Sequence, residues 1–249
     1  MEIKRPTQQI YSNYTSQDFD VWNVLFTRQL ELLKPIVSKE YLKAIEIIEF
    51  NKYEIPDFNR IDEILSHYTG WSLVVVPNIS EQKDFFTFLS QKKFTSTCWL
   101  RSMDQLDYLE EPDMFHDVFG HVPLLSNKAY VDFFKGISDI ALRHIDNPNA
   151  IILLGKIYWF TIEFGLIKED DEVKIYGAGI ISSKGESTHC LSSNATHLPF
   201  DIQTIFDTNY RTDTIQEHYF IIDSFEQLYQ SLGNLETCLT KNLEKEKVV

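Results

Sequence analysis

The stretch 111-EPDMFHDVFGHVPLL-125 carries His116 and His121, five residues apart, with Gly120 directly before the second. Neighbours on one face of a regular α-helix are three or four residues apart. At 3.6 residues per turn, residues five apart diverge by about 140°. A chain that uses both histidines at one site must therefore break or distort the helix between them. Pro112 or Asp113 can open a short helix, with the Asp113 carboxylate favourable at its positive end. Gly120 can end that helix, and Pro123 blocks its continuation. The pattern predicts a helix ended at Gly120, with His121 swung back toward His116. Spacing leaves the use of the pair open: unrelated histidines, a zinc pair, or ligands of another metal. The HExxH pattern of zinc peptidases needs histidines four apart with a Glu base between them, and it is absent.

A third group lies further along. The segment 157-IYWFTIEFGL-166 reads as helical, within a helix over about 148–166, and is almost wholly apolar. Trp159, Ile162, Glu163 and Leu166 then share one stripe, the face expected to be buried. A buried carboxylate needs a counter-charge, a hydrogen bond or a metal. A salt bridge to Lys or Arg would satisfy Glu163 as well as a metal would. Two imidazoles and one carboxylate with open positions suit non-haem Fe(II), one option among several.

The surroundings are those of a mainly α domain with small β elements. The chain has 249 residues, 43% of them hydrophobic, with 18 Phe, 12 Tyr and 4 Trp, enough for a sizeable core. Its formal charge of −14 argues against nucleic-acid or anionic-membrane partners, which need basic patches. The apolar runs 73-LVVV-76 and 151-IILL-154 are far too short to span a bilayer, and the N-terminus lacks the apolar run of an export signal. Cys98, Cys190 and Cys238 are widely spaced, which suits reduced thiols in the cytoplasm. Thr15 and Asp18 form a capping-box pattern before a helix over 15–35, with Trp22, Leu25, Phe26 and Leu33 as its apolar stripe. Further helices are expected at about 38–50 and 59–69, each with a Ser or Asn cap, then at 80–91, 126–145 and 223–245. Strands are expected at 71–76, 94–100, 172–176 and 218–222. Seven of the nine glycines fall between residues 120 and 185, which predicts irregular backbone there. Gly177-Ala-Gly179 lacks the third Gly and the βαβ setting of a dinucleotide loop.

Together with 176-YGAGIISSKGESTHCLS-192, the two blocks around the histidines and Glu163 closely resemble the pterin-dependent aromatic amino acid hydroxylases. The three blocks occur in that family's order and with about its spacing. A weaker resemblance runs from about residue 8 to 230, through 14-YTSQDFDVWNVLFTRQ-29 and 98-CWLRSMDQLDYLEEPD-113. The likeness is greatest to the short bacterial phenylalanine 4-monooxygenase branch. It implies one catalytic domain over residues 1–249, with no N-terminal regulatory domain and no long tetramerisation helix, acting as a cytoplasmic monomer. It implies Fe(II) on His116, His121 and Glu163, and a tetrahydropterin as cosubstrate. The implied reaction converts L-phenylalanine and O2 to L-tyrosine, the pterin supplying two electrons and taking the second oxygen. Residues implied to bind substrate are Arg101, for its carboxylate, and Tyr108, Pro112, Trp159, Phe164, Gly179 and Ser182. Phe85, Ile79, Glu111 and Asp117 are implied to bind pterin, Phe85 by stacking. Asn78 and Ser80 depart from the family's usual pterin loop, and Leu109 replaces a threonine typical of animal members. A tryptophan or tyrosine hydroxylase, or a catalytically silent binder that keeps the fold, are the alternatives.

Overall fold

Thr15 starts the first helix by exchange of hydrogen bonds. Its hydroxyl accepts from the Asp18 N–H, and the Asp18 carboxylate accepts from the Thr15 N–H, so the capping box is present. The structure, a computed structural model, describes residues 5–107, 109 and 111–246. Helix α1 (Ser16–Leu33) buries Trp22, Leu25, Phe26 and Leu33, the predicted stripe. Helix α2 (Lys39–Ile47) is capped by Ser38 as expected, whereas α3 (Phe58–Tyr68) is capped by Asp57 rather than by Ser or Asn. Strand β1 (Ser72–Val75), helix α4 (Gln82–Ser90) and strand β2 (Lys93–Ser96) follow, with β1 and β2 parallel. The second strand stops well before residue 100, so Arg101 lies in the extended segment beyond it.

Helices α5 (Lys128–Arg143) and α6 (Pro148–Tyr158) are each capped by an asparagine side chain, Asn127 and Asn147. Strands β3 (Leu166–Glu169) and β4 (Glu172–Ile175) form a hairpin. Its two-residue turn, Asp170 and Asp171, has φ of 49° and 65°, the left-handed values that tight hairpins require. Short helices α7 (Ala178–Ile181) and α8 (Lys184–His189), strand β5 (Thr196–Pro199) and helix α9 (Ile202–Asp207) lead to strand β6 (His218–Ile222). The four-stranded sheet has the order β4-β3-β6-β5, parallel except at the hairpin. The helix expected over 223–245 is two, α10 (Phe225–Gln230) and α11 (Leu232–Glu246).

The histidine stretch folds differently from the expectation. Gly120 does not end a helix. Phe115–His121 is one π-helical turn, whose i→i+5 winding brings residues five apart back toward one face. The awkward spacing is the spacing of that turn. The same departure recurs where the helix was expected to run on to residue 166. After Tyr158 the chain passes into a second π turn, Trp159–Glu163, closed by the Phe164 N–H on the Trp159 carbonyl at 2.9 Å. Leu166 therefore belongs to β3, not to the stripe of a continuous helix.

Both turns are held by packing and by backbone contact. Phe115 and Phe119 stack on each other, with ring centroids 4.7 Å apart, and meet Trp22 and Phe26 of α1 edge-on. That face is buried, so the histidines point the other way. Gly120 lies against α7, where a Cβ would stand 2.9 Å from the Ala178 carbonyl oxygen. Gly177 packs on the second turn, where a Cβ would stand 2.4 Å from the Glu163 carbonyl oxygen. The glycine-rich stretch is thus irregular as expected, and its glycines serve close approach. Pro123, four residues after Phe119, has no N–H to offer the Phe119 carbonyl. The buried Tyr41 hydroxyl donates to it instead, at 2.6 Å. Tyr41→Phe leaves that carbonyl unsatisfied and is expected to cost about 1–3 kcal/mol, read as a shift in urea midpoint with unchanged slope. A loss below about 0.5 kcal/mol would show that the π turn does not depend on Tyr41.

Candidate metal centre

The two π turns bring three ligand atoms together. His121 Nε2 lies 3.2 Å from Glu163 Oε1, His116 Nε2 lies 3.8 Å from Glu163 Oε2, and the two Nε2 atoms are 3.4 Å apart. Bonds of about 2.1 Å at right angles put ligand atoms about 3 Å apart, so one ion fits between these three. Among the described residues they form the one group of three or more His, Cys, Asp or Glu side chains able to share a metal. No Lys or Arg pairs with Glu163 among these residues, which removes the salt-bridge alternative left open by the sequence.

The protonation states also suit a cation. Burial pushes the His116 ring down to about 4, partly offset by Glu163, so at neutral pH it is an uncharged donor. Burial would raise the Glu163 carboxyl, but the charge and hydrogen bond of His121 outweigh it. With smaller help from His116 and the Tyr158 hydroxyl, they hold it at about 2. Ser182 Oγ donates to the Ala178 carbonyl at 2.9 Å and lies 2.8 Å from His116 Nδ1. With its proton committed, the hydroxyl accepts from Nδ1–H, which leaves the Nε2 lone pair facing the other ligands. The His121 ring packs under Phe94, centroids 4.9 Å apart. Its Nδ1 is buried without a hydrogen-bond partner among the described residues.

Above the three ligands opens a cleft of about 780 Å³, within the range of small-molecule sites. Arg101, Pro112, Trp159, Phe164, Gly179 and Ser182 line it, as do Phe85, Ile79, Glu111 and Asp117. Every predicted site residue except Tyr108 is therefore gathered there; Tyr108 lies outside the described residues. Arg101 is buried and bidentate to Asp113, with Nε–Oδ2 at 2.9 Å and Nη2–Oδ1 at 2.7 Å. Asp113 Oδ1 also accepts from the His116 N–H at 3.2 Å. Phe85 meets Phe86 and Tyr158 edge-on, and Phe86 is the more buried of the adjacent pair. Asp117 accepts from the N–H and hydroxyl of Thr97 at 2.7 and 2.9 Å, yet burial raises it to about 7.

Several lining residues are not foreseen from the sequence, among them Thr97, Tyr158, Glu186, Tyr210 and Gln216. Asp113, expected as a helix-opening charge, is the partner of Arg101 as well. The i+12 separation of that pair carries no periodic signal, and the others lie on loops, on the short α8 or, for Tyr158, at the last residue of α6.

The chain is similar to known proteins over most of its length. The profile of the biopterin-dependent aromatic amino acid hydroxylase family matches residues 3–246. The phenylalanine-4-hydroxylase of Ralstonia nicotianae is 40% identical over 242 residues, covering 92% of this chain and 77% of that protein. That of Chromobacterium violaceum is 42% identical over 219 residues, covering 88% and 73%. The crystal structure of the latter enzyme with bound oxidised Fe(III) superposes with a TM-score of 0.90 at 40% identity, covering 96% of this chain and 87% of that one. A second structure, with iron(III) and 7,8-dihydrobiopterin, gives 0.88 at 40% identity over 95% and 86%.

His121→Ala or Glu163→Ala is expected to weaken Fe(II) binding by more than roughly 100-fold, beyond the loss typical of an outer-shell partner. Chelator competition measures it, and a smaller loss would move the metal elsewhere. The His116 ring also makes a pH prediction for the metal-free protein. The unfolded ring titrates near 6.5 and the folded ring near 4, so the stability it lends is full above 6.5 and is lost as pH falls toward 4. Stability should decline across that window by at most about 1.4 kcal/mol per pH unit for this proton. His116→Gln should flatten the decline in denaturant titrations.

Proposed function

Because the chain belongs to the biopterin-dependent aromatic amino acid hydroxylases, we propose that His116, His121 and Glu163 hold the iron with which it hydroxylates L-phenylalanine to L-tyrosine. The reaction consumes O2 and a tetrahydropterin. The observation that carries this reading is the meeting of two imidazoles and an ionised carboxylate, which no Lys or Arg ion-pairs among the described residues, at a cleft that also holds a buried arginine and aromatic walls.

Iron bound there would supply O2 activation, and the tetrahydropterin the two electrons needed for one oxygen to leave while the ring takes the other. The protein's own residues bind, orient and exclude water. Asp113 fixes the Nε–Nη2 edge of the Arg101 guanidinium, leaving Nη1 and the second Nη2 hydrogen for the substrate carboxylate. Ser182 can reach that carboxylate only by releasing the Ala178 carbonyl, and its standing task is to orient His116. Pro112, Trp159, Phe164 and Gly179 take the side chain, with Tyr108 assigned on resemblance alone. A Cβ at Gly179 would stand 2.9 Å from the Phe164 ring, so the wall closes tightly there. Phe85 offers its ring to the pterin, beside Ile79, Glu111 and Asp117.

One hydrophobic cluster runs from Val21 to Leu239, which supports reading the chain as a single catalytic domain. Among the described residues no helix is long and apolar enough to cross a membrane. The buried free thiols of Cys98 and Cys190 fit a reducing compartment, and we assign the protein to the cytoplasm as a monomer.

The test is anaerobic reconstitution with Fe(II), then O2, tetrahydrobiopterin and an amino acid. Tyrosine should form from L-phenylalanine in step with pterin oxidation, with kcat/KM at least roughly tenfold above that for L-tryptophan. Arg101→Met should raise KM for phenylalanine far more than it lowers kcat. No tyrosine from the iron-loaded protein would overturn the reading, and a preference for tryptophan would move it within the family.

A further inference from the structure

Trp159 is the largest wall of the proposed substrate site, and the role inferred for its tether rests on that proposed function. The indole is gripped by one segment, residues 208–217, which links α9 to β6. Its Nε1–H donates to Gln216 Oε1 at 3.0 Å. The Tyr210 ring stacks on it, with centroids 4.5 Å apart and planes 17° from parallel. The segment is clamped at both ends. Lys156, on α6 three residues before Trp159, donates to the Phe206 carbonyl at 2.6 Å and to Asn209 Oδ1 at 3.2 Å. At the other end the Gln216 N–H donates to Glu186 Oε1 at 2.9 Å, while Glu186 Oε2 accepts from the Tyr219 hydroxyl at 2.5 Å.

The Gln216 side chain has little freedom. Its amide nitrogen donates to the Arg211 carbonyl at 2.7 Å and the Thr214 carbonyl at 2.9 Å. Both amide hydrogens are used, so the oxygen faces the indole. Gln216 is 5% exposed and Glu186 is 6% exposed, and a satisfied buried network of this kind rigidifies the groups it joins. Neither residue touches the three metal ligands in any hydrogen bond or ion pair among the described residues.

We propose that Gln216, backed by Glu186, is a positioning residue for substrate selection, holding the Trp159 plane at the angle that admits a phenyl ring. It acts on binding of the ring and not on the metal. A wall that loses its tether rotates, which weakens the fit of the preferred ring and relaxes discrimination against a larger one.

The experiment is a double-mutant cycle on the iron-loaded enzyme with Gln216→Met, Trp159→Phe and both together. Gln216→Met removes the acceptor at similar volume. It is expected to raise KM and the calorimetric Kd for L-phenylalanine about tenfold, since a partly buried indole N–H is left unpaired and the ring loses its tether. It should leave kcat within about twofold and lower the phenylalanine-to-tryptophan ratio of kcat/KM. In the Trp159→Phe background, where no indole N–H exists, the same substitution should add little. The indole 1H–15N resonance of Trp159 should lose its protection from exchange in Gln216→Met. An equal loss in both backgrounds, a fall in kcat at constant KM, or an unchanged substrate ratio would overturn the proposal. A wild-type protein that forms no tyrosine would defeat the functional reading instead. The Kd values and the indole resonance would then still decide the role of Gln216.

Discussion

A carboxylate that no Lys or Arg ion-pairs among the described residues is the constraint on which this structure turns. Glu163 is buried, and its neighbours are two imidazoles rather than Lys or Arg. Such a group is costly unless something positive shares its oxygens. An iron between the three ligand atoms would meet that need, and the surrounding backbone is shaped to hold them. Two π turns set the ligands on their faces, two glycines let α7 and the Glu163 strand-entry approach without side chains, and Tyr41 supplies the donor that Pro123 lacks. A continuous α-helix in either place would turn a ligand away.

The proposed substrate and metal sites are joined through one side chain. Asp113 accepts from Arg101 with both oxygens and from the His116 N–H with one of them. The proposed carboxylate anchor therefore cannot shift without moving the start of the turn that carries the first histidine. On the opposite side, Glu186 and Gln216 fix the indole that would meet the substrate ring. The cleft is thus fixed at two points, each backed by a buried, hydrogen-bonded carboxylate, Asp113 or Glu186. This is the preorganisation expected where the chemistry is supplied by a metal and a cosubstrate, and the protein contributes position.

Much of this is legible in the sequence, and the reasons are local. The Thr15–Asp18 capping box and the stripe of Trp22, Leu25, Phe26 and Leu33 have strong periodic signatures, and both appear in the structure. Glu163 stands out because a charge on an apolar stripe is rare. The ordered motif blocks assign the remaining pocket residues by resemblance, and every described one lines the cleft. The winding is not legible. Nothing in FHDVFGH announces an i→i+5 turn, so the five-residue spacing suggests a helix end at Gly120 that the structure does not contain. Nor does the sequence show the Arg101–Asp113 pair or the Gln216 bracket, because contacts between loops leave no period to count. The strands β3 and β5 also escape, β3 because its first residue, Leu166, closes a run that reads as helical.

The central claim is that one iron sits on two imidazoles and one carboxylate brought together by the π turns. X-ray absorption on the Fe(II)-loaded protein tests it most directly. A shell of nitrogen and oxygen atoms at about 2.1 Å is predicted, with outer-shell scattering from two imidazole rings that falls to one in His121→Ala. A sulfur ligand, or a spectrum unchanged by that substitution, would contradict it.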